Sequence, residues 1–299
     1  MVKSTKVRWL AAALLLTVAA VCAFAATPAA PDGEAYVASV EKWRAAYQAD
    51  LTSDNGWLSV SGLFWLHDGA NTFGSNPLDD IVLPAPVPPE AGTFEFRNGK
   101  TTVRLKPGVS ATMHGASVTT AEMRPDSDDR LMMGDLTMYV HASGDRYAIR
   151  LKDKNSKLRK DFTGLKWFPV DPAYRVVGRW VPYDKPKTEM IANVMGDAGP
   201  EQFYGYVEFT LKGQKLHLEP EQDGSEFEFV FRDLTSGHET YGAARFLDTV
   251  LGKDGSVVMD FNEAYNPPCA YNPYTTCPLP TPGNRLAVRI EAGEKSYHH

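Results

Sequence analysis

Residues 226–231 read E-F-E-F-V-F, and this short stretch indicates the class of fold. Phe227, Phe229 and Phe231 alternate with Glu228 and Val230, so a β-strand places three aromatic rings on one face. The same two-residue period recurs along most of the chain. The dominant element is therefore the strand.

Tight turns join many of these strands. Asn98-Gly99 separates residues 93–96 from 102–105, and Asn-Gly tolerates the positive φ angles of a two-residue hairpin turn. Glycine-containing turns also separate residues 135–142 from 146–152 and residues 204–211 from 215–219, which predicts two further hairpins. Three more strands are predicted at residues 241–246, 257–261 and 285–290. Ten or more strands predict an all-β fold, mainly antiparallel and sandwich- or barrel-like.

One segment has helical periodicity. From residue 32 to 52, apolar and aromatic side chains recur at spacings of three and four, at Tyr36, Val40, Trp43, Tyr47 and Leu51. The charged residues Glu41, Lys42 and Arg44 lie off this stripe. We expect one N-terminal amphipathic helix that packs on the sheet behind it.

The first 25 residues have the pattern of a secretory signal peptide. Lys3, Lys6 and Arg8 precede an uncharged apolar run that ends in Ala23-Phe24-Ala25, and small residues suit a cleavage site. An uncleaved anchor and lipid attachment at Cys22 are the alternatives. The pattern predicts a periplasmic or extracellular protein with no membrane span after signal removal.

Charge and motifs exclude several classes of function. Removing residues 1–25 takes away three basic and no acidic residues, which changes the net charge from −6 to −9. An acidic chain without a basic cluster is a poor nucleic-acid binder. No P-loop, dinucleotide fingerprint, zinc-protease helix or nucleophile elbow is present. We therefore predict no cofactor and no metal, and the sequence indicates no oligomeric state.

Two cysteines remain after the signal, Cys269 and Cys277, within a proline-rich loop at residues 262–283. Two cysteines in an oxidising compartment most often form a disulfide, which is the prediction here. A metal site is the alternative, but no second Cys or His pair lies at ligand spacing.

Several motifs resemble one family. Residues 260–280 read D-F-N-E-A-Y-N-P-P-C-A-Y-N-P-Y-T-T-C-P-L-P, followed by N-R-L at 284–286 and A-G-E-K at 292–295. W-L-S-V-S-G-L-F-W-L at 57–66 and T-S-G-H-E-T-Y-G-A-A-R-F-L at 235–247 look like the same family. The resemblance is to the bacterial family catalogued as domain of unknown function 1684, over nearly the whole mature chain. It implies no activity.

A second resemblance covers residues 66–118, which look like forkhead-associated domains, β-sandwiches that bind phosphothreonine peptides. Ser75 stands where those domains carry an arginine, so the likeness implies sandwich topology without phosphopeptide binding. Together with the proline-rich stretch at 77–90, it suggests two β-modules, residues 53–122 and 123–295. The alternative is that the stretch at 77–90 is only a long edge loop.

Residues 241–266 hold the candidate ligand site. If strands 241–246 and 257–261 pair, they bring polar groups to the start of the rigid proline-rich loop, which suits a polar, neutral or carboxylate-bearing ligand. The predicted ligand-binding residues are Tyr241, Arg245, Asp260, Asn262, Tyr265 and Asn266. The alternative is structural: Arg245 and Asp260 form a buried ion pair, and the asparagines cap loop carbonyls.

Three functions stay open at this point. The first is an exported protein that binds a small polar molecule near the proline-rich loop. The second is a cell-envelope hydrolase that uses Asp260 or His238 as acid and base. The third is a ligand-free scaffold. Residues 150–160 are locally basic, which suits a solvated loop or, as the second reading, a small-anion contact.

Overall fold

Two pairs of packed β-sheets follow one another in the computed structural model, which describes residues 33–125 and 127–297. Strands and isolated β-bridges account for 45% of the described residues, and the ladders are almost all antiparallel. The all-β prediction is confirmed. The predicted signal peptide at residues 1–25 lies outside the described residues.

The first pair of sheets follows helix α1 (Gly33–Leu51) and the 3-10 turn Trp57–Ser59. A five-stranded sheet has the order β3-β2-β4-β5-β8, and a six-stranded sheet has the order β1-β11-β10-β9-β6-β7. The strands are β1 Val60–Trp65, β2 Gly69–Gly74, β3 Ile81–Val82, β4 Gly92–Arg97, β5 Lys100–Leu105, β6 Thr112–Met113, β7 Ala116–Ser117, β8 Thr120–Met123, β9 Leu131–Met133, β10 Leu136–Ser143 and β11 Arg146–Asp153.

The two sheets enclose one core. Phe73 and Phe94 from the five-stranded sheet pack with Met138 and Ile149 from the six-stranded sheet. This core draws on residues before and after position 122, because β9, β10 and β11 complete the sandwich. The boundary predicted between residues 122 and 123 therefore cuts through the first core.

The second pair of sheets follows the short helix α2 (Lys157–Lys160). A four-stranded sheet has the order β14-β13-β12-β18, and a three-stranded sheet has the order β15-β16-β17. The strands are β12 Arg175–Ala192, β13 Ala198–Leu211, β14 Gln214–Leu218, β15 Glu221–Asp223, β16 Glu226–Phe231, β17 Arg245–Val250 and β18 Ser256–Asp260, with 3-10 turns at Pro172–Tyr174, Phe261–Glu263, Pro268–Ala270 and Pro282–Asn284.

The three phenylalanines of β16 lie in the second core, as their alternation predicts. Phe227, Phe229 and Phe231 are buried among Val207, Met259 and other apolar side chains of the facing sheet. The opposite face of β16 is then free to carry Glu228 and Val230 outward from this core.

The hairpin predicted at Asn98-Gly99 is confirmed. Both residues have positive φ, 51° and 75°, as a primed two-residue turn requires, and β4 and β5 pair directly across it. The hairpin of β12 and β13 is much longer. Near its tip Asp197 accepts two hydrogen bonds from Arg146 and one from Ser143 in the first pair of sheets.

Two predicted strands differ in the structure. Residues 241–244 are irregular and β17 begins only at Arg245. Residues 285–290 form no regular ladder, although Leu286, Val288 and Ile290 do point into the core. This segment makes only separate backbone hydrogen bonds to residues 232–234, which do not continue into a ladder. The Ile290 N–H donates to the Asp233 carboxylate instead of to a backbone carbonyl.

Helix α1 is present but its inward face is mixed. Tyr36, Val40 and Leu51 are buried, and so is Arg44, which the periodicity had placed off the packing face. Arg44 is bound there by Glu41 and by the Asn262 carbonyl oxygen, so the charge is compensated. The amphipathic character predicted for this helix is therefore not shown. In the described ranges, no helix is long and apolar enough to cross a membrane.

The second core should depend on its aromatic face. We expect Phe229→Ala to lower the free energy of unfolding by about 3–5 kcal/mol, because the ring is fully buried and its loss leaves a cavity. Urea unfolding followed by tryptophan fluorescence measures this change. Val250→Ala, at an exposed position of the neighbouring strand β17, is the control and should change stability by less than about 0.5 kcal/mol. Equal effects of the two substitutions would contradict this account of the core.

Candidate functional site

Arg245, which the sequence placed in a ligand site, is fully buried and bound within the protein. Its guanidinium pairs with the Asp233 carboxylate at 3.1 Å and donates to the carbonyl oxygens of Ile290 and Ala292. The side chain is 0% exposed. The predicted alternative of an ion pair between Arg245 and Asp260 is wrong, because Asp233 is the partner. Arg245 therefore holds the C-terminal segment to β17 and faces no ligand.

Asp260 and Asn262 do come together, but in a closed cluster. The Tyr36 hydroxyl donates to both Asp260 carboxylate oxygens at 2.9 Å and accepts from Asn262 Nδ2 at 2.8 Å. Asp260 also caps the 3-10 turn Phe261–Glu263 by accepting from the Asn262 N–H. These groups attach α1 to the second pair of sheets.

Asn266 is also bound by other groups of the protein. Its backbone N–H donates to the Glu294 carboxylate at 2.9 Å, and its side-chain amide donates to the Lys295 carbonyl oxygen at 2.8 Å. Tyr271 donates to the same carboxylate at 2.6 Å. Burial raises the pKa of Glu294 to about 7. The proline-rich loop is thus fastened to the A-G-E-K segment.

The two tyrosines differ. Tyr241 lies before β17 and donates its hydroxyl to the Cys269 carbonyl oxygen at 3.1 Å. It therefore does not share a strand face with Arg245. Tyr265 pairs with Phe246 through backbone hydrogen bonds in both directions, and its hydroxyl donates to Asp248 at 2.8 Å. Of the six predicted residues, Tyr265 alone lines the cavity between α1, the proline-rich loop and the two pairs of sheets.

The disulfide predicted between Cys269 and Cys277 is absent, since both residues are free thiols. They are nevertheless in contact, because the Cys269 N–H donates to the Cys277 sulfur at 3.3 Å. The hydrogen bond between the thiols lowers the pKa of Cys277 and raises that of Cys269.

A cavity of about 650 Å³ lies where the two pairs of sheets, α1 and the proline-rich loop meet. Its volume is typical of small-molecule sites. The loop side is formed by Pro268 and by the run Thr275, Thr276, Cys277 and Pro278. Three further walls come from the aromatic helix, from β10 and β11, and from β16 and β17.

The aromatic wall combines α1 with the loop. Trp43 and Tyr47 stack with ring centroids 5.5 Å apart, and Tyr265 lies 5.0 Å from Tyr47. Trp57, from the 3-10 turn before β1, also lines the cavity. Flat rings at these positions offer both apolar contact and the negative ring face that attracts cations.

The basic wall comes from β10 and β11. Arg150 is 4% exposed, and its contact with a polar side chain is a long 3.4 Å approach to Thr276 Oγ1. Within residues 33–125 and 127–297 its Nε has no hydrogen-bond partner, which is also true of the Nε atoms of Arg44 and Arg245. The His141 ring lies in the same wall, with Nε2 at 2.8 Å from Thr276 Oγ1. Among the residues that the structure describes, no carboxylate lies within 4 Å of Arg150.

Lys152 shows that this wall is electropositive. Burial and the charges of Arg130 and Arg150 lower the pKa of Lys152, and Asp50 on α1 opposes that effect. Asp50 itself is exposed and lines the cavity from the helix side.

The acidic wall is the outer face of the three-stranded sheet. Glu228 stands directly opposite Asp248 on β17 and directly opposite Glu221 on β15, so three carboxylates form one row across three strands. Burial, followed by Asp248, Glu221 and Cys277, raises the pKa of Glu228 to about 7. Partial desolvation also raises the pKa of Asp248, against the lowering effect of the Tyr265 hydroxyl. Glu228 and Asp248 line the cavity.

The sequence contained weak signals for this cavity. Glu228 was visible as the outward partner of the phenylalanine face, but strand alternation does not show what covers that face. Arg150 began the basic run whose second reading was an anion contact. His141, Trp57 and Trp43 gave no functional signal, because the cavity joins segments that are more than 200 residues apart.

Residues 160–295 match the model of the family described as "Protein of unknown function (DUF1684)". The matched part is shorter than the resemblance had predicted, since motif 57–66 lies outside it. The DUF1684 segment contributes the acidic wall and the proline-rich loop, whereas Arg150, His141 and the helix precede it. The likeness to forkhead-associated domains stays a prediction.

Part of the chain is similar to a solved structure. It is the solution NMR structure of the uncharacterized protein from gene locus rrnAC0354 of Haloarcula marismortui, with 30% sequence identity. The match covers 46% of this chain and 78% of that chain, with a TM-score of 0.38. A comparison with curated proteins finds no match.

Arg245 should be essential to stability and not to binding. We expect Arg245→Met to lower the free energy of unfolding by about 3–5 kcal/mol, because Asp233 is left buried and uncompensated. Arg289→Met removes an exposed arginine that pairs with Glu239 and Glu291, and should lower stability far less, because exposed ion pairs contribute little. Denaturant titration compares the two. A change below 1 kcal/mol for Arg245→Met would refute the structural role.

Glu228 should make stability depend on pH. Its folded pKa lies above its unfolded value, so its contribution to stability is complete below about pH 4.5 and is lost as pH rises through about 7. We expect Glu228→Gln to be more stable than the native protein at pH 8 by on the order of 1–2 kcal/mol, and to lose this advantage at pH 5. Urea midpoints at both pH values test this, with the exposed and distant Glu122→Gln as the control. An advantage that persists unchanged at pH 5 would contradict it.

Proposed function

We propose that this protein binds a small polar molecule with a carboxylate or comparable anionic group, in the cavity between α1, the proline-rich loop and the two pairs of sheets. Arg150 is the anchor for the anionic group. The proposal keeps the ligand class inferred from the sequence and moves the site from Arg245 and its neighbours to this cavity.

The observation that carries the proposal is the state of Arg150. Arg44, Arg150 and Arg245 are the buried arginines in residues 33–125 and 127–297. Arg44 is bound by Glu41 and Arg245 by Asp233, whereas no carboxylate of the described residues pairs with Arg150. A buried guanidinium without a counter-ion is costly, and its fork of donors matches a carboxylate. A bound anion would supply the missing charge.

The surroundings of Arg150 suit a ligand of modest size. Thr276 Oγ1 and the His141 ring add polar contacts beside the guanidinium, and Trp57 lies with its ring 5.6 Å from it. The aromatic wall offers flat apolar surface on the far side. A largely apolar cavity with a few convergent polar groups is the usual design of a small-molecule site.

The other two functions have less support. Asp260 is bound by Tyr36 and by the backbone of its own turn, and His238 lies in the exposed turn after Thr235. Neither residue faces the cavity, so no geometric observation favours a hydrolase built on them. A scaffold that presents the aromatic helix is also less favoured, because Trp43 and Tyr47 already pack against Trp167.

A thermal-shift screen with small carboxylates, sugars, phosphate and amines tests the proposal. We expect at least one carboxylate to raise the melting temperature of the native protein, and isothermal titration to show at least tenfold weaker binding in Arg150→Gln. A charge-assisted pair is worth about 1.5–3 kcal/mol, which corresponds to a factor of ten or more.

Arg104→Gln is the matched control, because Arg104 is an exposed arginine on β5, outside the cavity. It should leave the affinity unchanged. The proposal fails if no compound with an anionic group stabilises the native protein, or if Arg150→Gln binds the stabilising compound as tightly as Arg104→Gln does.

A further inference from the structure

The row of Glu221, Glu228 and Asp248 carries uncompensated negative charge. Directly opposed like charges on neighbouring strands destabilise a sheet. Among the described residues, no Lys, Arg or His lies within 4 Å of any of these three carboxylates. Tyr265 donates a hydrogen bond from its hydroxyl to Asp248. The outer face of this sheet therefore presents a row of carboxylates to which a cationic group could bind.

Glu228 and Asp248 belong to the same cavity as Arg150. The two carboxylates line one wall of the 650 Å³ space, and the buried guanidinium lines another. Among the described residues, the cavity thus presents to the same small volume a guanidinium without a carboxylate partner and two carboxylates without a basic partner. A ligand with only an anionic group satisfies the first and leaves the second unrelieved.

Aromatic rings stand beside the carboxylates. Phe246 and Tyr265 line the cavity, with ring centroids 5.8 Å apart, and Trp43 lies 6.3 Å from Tyr265. Ring faces next to carboxylates are the usual surroundings of a bound ammonium or guanidinium group. Within residues 33–125 and 127–297, no three His, Cys, Asp or Glu side chains converge closely enough to hold a metal ion. The surroundings therefore favour an organic cation.

From this geometry we infer that the ligand is a zwitterion, with its anionic group on Arg150 and a cationic nitrogen on Glu228 and Asp248. An amino acid, or a related molecule with an ammonium or guanidinium group separated from a carboxylate, has this chemistry. The inference rests on the proposed function and adds the second pole of the ligand.

Proton release should accompany such binding. Burial favours the protonated form of Glu228, and so do Asp248, Glu221 and Cys277, which face it. Burial and Glu226 also raise the pKa of Asp248, whereas the hydrogen bond from Tyr265 lowers it. Arg150, His141 and Asp50 lie across the cavity. A bound ammonium group favours the ionised carboxylate. At pH 6.5, titration heats in buffers of different ionisation enthalpy should therefore reveal protons leaving the protein on binding.

Matched compounds separate the two poles of the ligand. The probes are linear ω-amino acids from glycine to 6-aminohexanoate, each compared with the carboxylate of the same length that lacks the amine, and with the amine that lacks the carboxylate. We expect one or two members of the series to bind at least tenfold more tightly than both of their singly charged analogues. The best chain length then reports the distance between the poles.

The variants assign each pole to its wall. Glu228→Gln and Asp248→Asn should remove the advantage of the zwitterion over the carboxylate and leave the affinity for the carboxylate within threefold. Arg150→Gln should weaken both, and Glu122→Gln should weaken neither. Proton release should disappear in Glu228→Gln.

Different failures are distinguishable. If the carboxylates bind as tightly as the ω-amino acids, the zwitterion inference is overturned and the anion site at Arg150 stands. Binding of Ca²⁺ through Glu228 without binding of the ω-amino acids also overturns the zwitterion inference. If no member of the series binds while another small carboxylate does, the inference is again overturned alone. Absence of binding by every anionic compound overturns both proposals.

Discussion

The ion pair of Arg245 and Asp233 is the interaction on which the second half of this molecule depends. One Asp233 oxygen accepts from Thr235, and the other receives Arg245 and the Ile290 N–H. The guanidinium then reaches the Ala292 carbonyl oxygen. A single buried pair thereby fixes the start of β17, the turn after β16 and the otherwise irregular C-terminal segment. The pair stabilises the fold mainly through the hydrogen bonds that it makes to backbone groups, since an isolated buried ion pair contributes little net stability.

The same segment positions the cavity. Gly293 follows Ala292 with φ of 79°, and a Cβ atom there would meet the Ala264 carbonyl oxygen at 2.4 Å. This close approach lets Glu294 receive the Asn266 N–H and the Tyr271 hydroxyl, which holds the proline-rich loop in place. The loop in turn covers the outer face of β16 and β17. Residues 160–295, which match the DUF1684 model, thus supply the acidic wall and the loop side of the site, whereas Arg150 and His141 precede them.

The candidate site uses charges that the fold leaves unpaired. Arg245 and Arg150 are both buried arginines, but the first is bound by Asp233 and backbone carbonyls while the second borders an open volume. Likewise Asp260 is bound by Tyr36, whereas Glu228 faces two other carboxylates. Natural proteins retain destabilised charges mainly where a ligand completes them. This contrast between satisfied and unsatisfied groups distinguishes the cavity from the structural clusters around it.

The sequence by itself determined the all-β class, the hairpin at Asn98-Gly99, the N-terminal helix and the buried phenylalanine face of β16. These features follow from local periodicity and turn chemistry, which neighbouring residues decide among themselves. It also identified the region of the proline-rich loop, because its high content of Pro, Asn and Cys can be read from the sequence alone. Only the tertiary structure decided which polar side chains are bound within the protein and which face the cavity. Arg245, Asp260 and Asn266 have side chains of the types that bind ligands, but they are bound to protein groups that lie up to 224 residues away. Burial and pairing are properties of contacts between distant segments, so the sequence pattern carries no record of them.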